Sequence, residues 1–153
     1  MTEFEKAVNR AANLCSGSER CSSDIRTKLQ SWGLDEKETD KAIEFLTKNK
    51  FLDDRRFAGY FVKDKLRFNK WGRIKIAYAL RQKEIQADII EQSIGEIDQD
   101  HYTEVLDQLL NSKIKSIGSI RKRENKAKAF RFAAQRGFTS DEIYKALARL
   151  EKS

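Results

Sequence analysis

Two adjacent carboxylates, Asp53 and Asp54, are the residues of this chain whose types and spacing come nearest to chemistry. Paired carboxylates can share a metal ion or divide general acid and base roles between them. No third carboxylate or histidine lies at a helpful local spacing, and His101 is the only histidine. Asp53 directly precedes an apolar helical pattern, where a carboxylate can cap free backbone N–H groups at the positive end of the helix. The sequence therefore favours capping over catalysis, and it predicts no catalytic residue.

The two cysteines, Cys15 and Cys21, are the other candidates for chemistry. Their C-x5-C spacing matches no common zinc or redox motif, so they are predicted to be reduced structural thiols. No phosphate-binding loop is present in the sequence. We therefore expect no metal, no cofactor and no enzymatic activity.

Basic residues are concentrated in two blocks that flank an acidic one. Residues 63–83 carry 8 basic and 1 acidic side chains, and residues 113–136 carry 9 and 1. Residues 84–112 carry 8 acidic side chains and neither Lys nor Arg. Basic blocks of this density predict a polyanion partner, most often nucleic acid, although charge alone equally fits a solvated helix face.

Ten basic side chains within these blocks are the predicted contacts to DNA phosphate. Arg73 follows Gly72 at a predicted helix start, where backbone N–H groups can bind phosphate. The neighbouring Trp71 could stack on a base, but covering a helix junction is the favoured role. The ten predicted contacts are Lys70, Arg73, Lys75, Arg81, Lys83, Lys122, Arg123, Lys126, Lys128 and Arg131.

The composition indicates which elements must position these residues. The chain has 153 residues, of which 39% are hydrophobic and 36% charged, with no proline and only seven glycines. This favours many thin helices with one wet face over a turn-rich sheet protein. No stretch approaches 18 uninterrupted apolar residues, and the N-terminus lacks the features of a signal peptide, so we expect a cytoplasmic protein without a membrane span.

Helical periodicity and capping signals predict about nine helices. The fourth is predicted at about 54–68 with Phe57, Tyr60 and Phe61 in the core. The sixth is predicted at about 87–96, burying Ile90, Ile94 and Ile97, and the eighth, strongly basic helix at about 119–136.

An internal repeat underlies these helices. With Leu34, Ile85 and Phe138 aligned, all fifteen equivalent positions are apolar. The pattern predicts an all-α, elongated array of three tandem three-helix repeats, at 1–52, 53–98 and 99–153, which we expect to be a monomer. The fifteen positions are Ile25, Leu29, Leu34, Ile43 and Leu46, then Ile76, Leu80, Ile85, Ile94 and Ile97, then Ala129, Ala133, Phe138, Leu147 and Leu150.

The second repeat resembles the RecX family of recombinase regulators. The likeness starts with Asp53-Asp54-Arg55-Arg56-Phe57-Ala58 and continues through Lys83-Glu84-Ile85, and the third repeat has the related Ala129-Phe130-Arg131-Phe132-Ala133. Two residues depart from the family pattern: Arg73 stands where proline is usual, and Glu84 where glycine is usual. Glu84 therefore predicts an altered turn after the fifth helix. The residues assigned to the structural motif are Asp53, Asp54, Arg56, Phe57, Tyr60, Gly72, Ile76 and Leu80.

The resemblance implies a non-enzymatic regulator of recombination, DNA repair and the SOS response. Such a protein binds the RecA-type recombinase filament on single-stranded DNA, with double-stranded DNA left open as a partner. It lowers strand exchange, ATP hydrolysis and co-protease activity. Two alternatives remain on the sequence alone: a stand-alone helical DNA-binding protein, and a helical adaptor that binds only protein.

Overall fold

The structure is a computed structural model that describes residues 1–152, and within them it contains nine α-helices and no strand. The prediction of an all-α chain with about nine helices is confirmed. The helices are α1 Glu3–Gly17, α2 Ser22–Ser31, α3 Glu36–Lys48, α4 Asp54–Asn69, α5 Arg73–Gln82, α6 Ala87–Gly95, α7 Gln99–Ile117, α8 Arg123–Gln135 and α9 Ser140–Lys152.

The helices form two compact units that interleave along the chain. The first unit comprises Met1–Tyr60 together with Leu80–Glu91, and the second comprises Phe61–Ala79 together with the chain from Gln92 onward. Helices α4, α5 and α6 each contribute residues to both units. The repeat boundaries proposed from the sequence stay a prediction.

The apolar positions of the internal repeat provide much of the core. All but four of the fifteen are buried, and the four exceptions are half-buried. In the first unit Ile25, Leu29 and Leu46 are fully enclosed. Burying side chains of this size stabilises a fold by about 1.5–3 kcal/mol each, so the repeat pattern marks residues on which folding depends. The four half-buried residues are Ile43, Ile94, Ile97 and Leu150.

Two expectations about α4 and α6 were wrong. Tyr60 is 54% exposed, because the buried side of α4 follows Ala58, Val62 and Leu66 with Phe57 beside them. Tyr60 is two positions from Ala58 and two from Val62, which turns it to the opposite side of a 3.6-residue helix. Helix α6 ends at Gly95, and the predicted core residues Ile94 and Ile97 are only half-buried.

Helix α8 begins four residues later than predicted. The backbone turns at Gly118, whose φ of 105° belongs to the left-handed region. Ser119 then accepts local hydrogen bonds, from Arg121 N–H to its hydroxyl at 3.2 Å and from the Asn125 side chain to its carbonyl at 3.0 Å. Such local bonds compete with helical ones, so the helix starts only at Arg123.

Three equivalent turns separate the second and third helices of the repeats. Each contains one residue with positive φ: Gly33 at 97°, Glu84 at 60° and Gly137 at 98°. In each turn the next residue donates its N–H to a carbonyl five positions back, as Ile85 does to Leu80 at 3.1 Å. This is the Schellman arrangement that closes a helix. The expectation of an altered turn at Glu84 was therefore wrong, since the backbone keeps its shape without glycine.

Glu84→Gly is expected to stabilise the protein by about 1 kcal/mol. A side chain in the left-handed region costs about 1–2 kcal/mol, and glycine removes this cost. Part of the gain is offset because glycine also raises the conformational entropy of the unfolded chain. The urea unfolding midpoint should rise at an unchanged slope. Glu84→Ala removes the charge but keeps the Cβ, so it should give no comparable gain. A lower midpoint for Glu84→Gly would show that the glutamate side chain itself stabilises the turn.

Candidate nucleic-acid interface

Both motif carboxylates lie at the start of α4 and are engaged with helix termini. Asp53 Oδ1 accepts the N–H of Arg56 at 3.0 Å, which is the geometry of a helix cap. Asp54 Oδ1 accepts the backbone N–H and the hydroxyl of Ser22, at 2.9 and 3.1 Å. A single aspartate thus connects the first turn of α4 to the first turn of α2. These contacts account for both carboxylates without metal binding or acid–base chemistry.

Arg56 and Lys83 hold other parts of the first unit together. Arg56 Nε donates to Glu19 at 2.6 Å, and its Nη2 donates to the Lys50 carbonyl at 3.2 Å. Lys83 Nζ lies 3.1 Å from Asp24, and its carbonyl accepts the Ser23 hydroxyl at 2.6 Å. Lys83, a predicted phosphate contact, is therefore half-buried and paired with a carboxylate.

In the second unit two glycines bring the start of α5 against the end of α8. Gly72 N–H donates to the Arg136 carbonyl at 2.7 Å, and Ile74 N–H donates to the Gly137 carbonyl at 3.1 Å. A Cβ on Gly72 would lie 2.7 Å from Phe138 N, and a Cβ on Gly137 would lie 2.6 Å from Lys75 N. Only residues without a side chain allow this approach.

Arg73, at the first position of α5, is bonded within the second unit. Its guanidinium lies over the Tyr102 ring at 3.9 Å, 3.2 Å from Glu142 and 3.0 Å from the Gln99 side-chain oxygen. Its backbone N–H donates to the Tyr102 hydroxyl at 3.0 Å. Proline could not supply that N–H. Arg73 therefore has a structural set of partners, and its predicted contact to phosphate stays a prediction.

Tyr102 and Glu142 complete this network. The Tyr102 hydroxyl donates to Glu142 at 3.3 Å, and burial raises the pKa of Tyr102 to about 12, so the phenol stays neutral. Glu142 also accepts the Thr139 N–H at 2.8 Å, while the Thr139 hydroxyl accepts the Glu142 N–H at 3.2 Å. This reciprocal pair is a capping box at the start of α9. One carboxylate thus serves a helix cap, a tyrosine and an arginine.

Trp71 lies between two lysines at the junction of α4 and α5. Lys65 and Lys75 hold their ammonium groups 5.0 and 4.8 Å from its ring, and Lys75 also reaches the Gln135 carbonyl at 3.4 Å. Lys70 closes α4 with a φ of 57°, and its ammonium donates to the Arg67 carbonyl at 3.1 Å. Trp71 therefore covers the junction between the two helices, and both ammonium groups lie within cation–π distance of its ring.

The basic residues of α8 are differently placed. Lys126 lies 2.9 Å from Glu151 and is half-buried, whereas the other predicted contacts here are exposed. Within residues 1–152 those exposed cations, and Arg81 of the first unit, form no ion pair. The exposed contacts of α8 and its N-cap are Lys122, Arg123, Lys128 and Arg131.

A groove lies between α8 and α9 beside these cations. It encloses about 260 Å³ and has both charged and aromatic walls. Phe130 and Tyr144 lie with ring centroids 4.9 Å apart at 31°, and Tyr144 is 58% exposed. Tyr144 was not among the site residues predicted from the sequence. Its sequence signal is a large aromatic residue on α9 that lies next to the apolar positions Ile143 and Leu147 but is not one of them. The lining residues are Arg123, Lys126, Ala127, Phe130, Arg131, Tyr144 and Leu147.

No group of three or more potential metal ligands occurs in the described part of the chain. Burial raises the pKa of both the Cys15 and Cys21 thiols, which keeps them protonated and poorly nucleophilic. None of the helices described has the length and apolarity needed to cross a membrane.

Tandem three-helix units with exposed cations on one helix define an all-α repeat protein whose surface suits binding to a partner. Comparison with known proteins identifies the family. The sequence models of the RecX first, second and third three-helix domains match residues 7–46, 53–94 and 100–147. The chain belongs to the RecX family, and the predicted tandem three-helix fold is confirmed.

Individual relatives agree with this assignment. Regulatory protein RecX of Clostridium tetani is 31% identical, covering 96% of this chain and 68% of that protein. The protein of the same name from Prosthecochloris aestuarii is 30% identical over 97% of this chain and 96% of its own length. A Clostridium botulinum relative is 38% identical, but the chain spans only 56% of it. The crystal structure of RecX from Lactobacillus salivarius superposes with a TM-score of 0.88 at 22% identity, covering 99% and 98% of the two chains.

Proposed function

We propose that this protein regulates recombination and DNA repair in the cytoplasm by binding a RecA-type recombinase filament on single-stranded DNA and lowering its activity. The observation that carries the proposal is the match of all three RecX domains in their expected order along the chain. Relatives that match nearly the whole chain are named regulatory proteins, which supports a regulatory rather than a catalytic role.

The mechanism needs no chemical step. A ligand shifts an equilibrium only by its differential affinity for the two states, so a protein that binds inactive or shortened filaments more tightly lowers activity. Contacts from Lys and Arg to phosphate carry no sequence information, which suits a regulator that must act on any coated strand. Apolar and acidic surface would then contact the recombinase.

Eight of the ten predicted phosphate contacts divide into two roles under this proposal. Arg73, Lys83 and Lys126 already pair with carboxylates, which offsets their charge. Arg81 and the four exposed cations of α8 and its N-cap have no such partner within residues 1–152. We assign DNA contact first to these five and a mainly structural role to the paired residues.

The direct experiment measures recombinase ATP hydrolysis and filament length on single-stranded DNA with increasing amounts of this protein. Both are expected to fall. Unchanged hydrolysis and filament length at saturating protein would contradict the proposal. Sequence-specific retention on duplex DNA without recombinase would instead favour the stand-alone DNA-binding protein. Binding to recombinase with no DNA contact at low salt would favour the adaptor.

Reversal of three exposed charges, Lys122→Glu, Arg123→Glu and Lys128→Glu together, is expected to weaken binding to single-stranded DNA. The slope of log affinity against log salt should become shallower by about two, because each phosphate contact on a single strand contributes about 0.7. Fluorescence anisotropy at several salt concentrations measures both quantities.

The matched control makes the same charge change outside both basic blocks. The exposed residues Lys37, Lys41 and Lys48 lie on α3 of the first unit, and replacing all three by Glu gives an equal net charge. This control should retain most of the affinity and slope. An equal loss in both triple variants would mean that net charge, rather than the α8 surface, governs DNA binding.

A further inference from the structure

The groove between α8 and α9 combines an exposed aromatic face with two arginines that form no ion pair within residues 1–152. Tyr144 lies against Phe130, which supports one face of its ring and leaves the side chain 58% exposed. Arg123 and Arg131 line the same groove, and neither forms an ion pair within residues 1–152. A tyrosine that only filled the core would be buried, as Tyr102 is.

This combination matches the chemistry of an unpaired nucleotide. Every base has a flat π-face that can stack on an aromatic ring, and each nucleotide brings a phosphate that pairs with arginine. In a duplex the faces of the bases are already stacked on their neighbours. The combination therefore favours a single strand over double-stranded DNA. A purely apolar peptide would leave the two arginines without partners.

We propose that this α8–α9 groove is a base-stacking site for single-stranded DNA, in which one unpaired base lies on Tyr144 and the flanking phosphates pair with Arg123 and Arg131. The inference rests on the proposed function, which supplies single-stranded DNA as the ligand. It adds a contact to a base to the contacts with phosphate that were proposed above. Tyr144 supplies affinity that does not depend on salt, while the arginines supply the salt-dependent part.

Glu151 restrains one cation of the groove. Its carboxylate lies 2.9 Å from Lys126 Nζ, and both residues also line an adjoining depression of about 490 Å³ with Ile120 and Arg121. A phosphate entering there would compete with Glu151 for Lys126. Removing the carboxylate charge should therefore strengthen DNA binding, in the opposite direction to the loss of Tyr144.

The first experiment measures binding of the full chain to a single-stranded oligonucleotide, without recombinase, for the wild type and for Tyr144→Ala. Affinity is expected to fall about tenfold, within the range found when a stacked base loses its aromatic partner. The salt slope should stay unchanged because no phosphate contact is removed. Tyr144→Phe should bind like the wild type, since stacking does not need the hydroxyl.

Two controls separate stacking from other effects. Tyr78 on α5 is 57% exposed but lies outside the groove, so Tyr78→Ala should leave the affinity unchanged. An abasic strand carries the same phosphates without bases, and Tyr144→Ala should make no difference to its weaker binding. Circular dichroism of the variants checks that the fold is retained.

The second experiment uses Glu151→Gln, which is expected to raise the affinity for the same oligonucleotide severalfold and to steepen the salt slope.

The base-stacking site is overturned if Tyr144→Ala binds as tightly as the wild type, if wild type and variant differ equally on abasic strands, or if the wild type does not bind single-stranded DNA at low salt. Inhibition of the recombinase could still stand after any of these results. Loss of DNA affinity in Tyr144→Ala with no recombinase inhibition by the wild type would overturn the proposed function alone.

Discussion

Gly137→Ala is expected to lower the free energy of unfolding by about 3 kcal/mol or more. The residue has a φ of 98°, where a side chain costs about 1–2 kcal/mol. A Cβ at this position would also lie 2.6 Å from Lys75 N, which is backbone and cannot turn aside. Relieving the overlap would push α5 from α8 and strain the hydrogen bond from Ile74 to Gly137, adding an overpacking cost of about 1–3 kcal/mol.

Gly33→Ala provides the control for this prediction. Gly33 occupies the equivalent turn of the first repeat with nearly the same φ, 97°, but a Cβ there would have no atom within 4 Å. Urea unfolding should therefore show a loss of only about 1–2 kcal/mol, the conformational part alone. If the two variants lose equal stability, the close approach of α5 to α8 does not constrain the second unit.

Glu142→Ala is expected to cost about 2 kcal/mol. The change removes one half of the α9 capping box, for which about 1 kcal/mol is typical. It also removes the acceptor for the Tyr102 hydroxyl and the partner of Arg73. The ion pair is partly exposed, so solvent screening limits its share to less than about 1 kcal/mol.

Variants at Glu142 and Arg73 can separate these contributions. Glu142→Gln keeps a side-chain oxygen for the cap and the tyrosine but loses the charge, so it should cost clearly less than Glu142→Ala. Combining Arg73→Ala with Glu142→Ala should give less than the sum of the single losses, because the two residues share one interaction. Strict additivity would show that the 3.2 Å contact contributes nothing measurable to stability.

The fold could be predicted from the sequence because its signals are local and repeated. Apolar spacing indicates the α-helices, and the alignment at Leu34, Ile85 and Phe138 indicates the repeat from residue types alone. Capping signals are equally local, since Asp35 and Glu38, three residues apart, form reciprocal bonds at the start of α3. The prediction for Tyr60 failed because its spacing from Phe57 fits the helical period loosely, and only the packing of Ala58 and Val62 decides which side is buried.

The candidate site was less accessible because it depends on pairs that are distant along the chain. The density of basic residues indicates Arg73 and Lys126 as candidate phosphate contacts. No sequence rule predicts that Arg73 pairs with Glu142, 69 residues away, or that Lys126 pairs with Glu151. These partners divide a set of equivalent positive charges into two groups. The ten predicted phosphate contacts remain predictions. The structure distinguishes those that pair with a carboxylate from those that do not.

The two departures from the family pattern have separate physical accounts. Glu84 adopts the left-handed backbone that glycine would adopt, so the turn is retained at the expense of some strain. Arg73 replaces a residue without an N–H, and both its N–H and its guanidinium are used, by Tyr102 and Glu142. One departure is tolerated, while the other adds contacts.

The interleaving of the two units also constrains the order in which the protein can form during synthesis. Ser23 and Asp24 of the first unit find their partner in Lys83, 60 and 59 residues later. When residue 60 leaves the ribosome, the first unit still lacks its Leu80–Glu91 segment, and at about 5–20 residues per second that segment follows seconds later. The nascent first unit therefore passes through an incomplete state, in which Asp24 of α2 lacks this partner until Lys83, directly after α5, has been made.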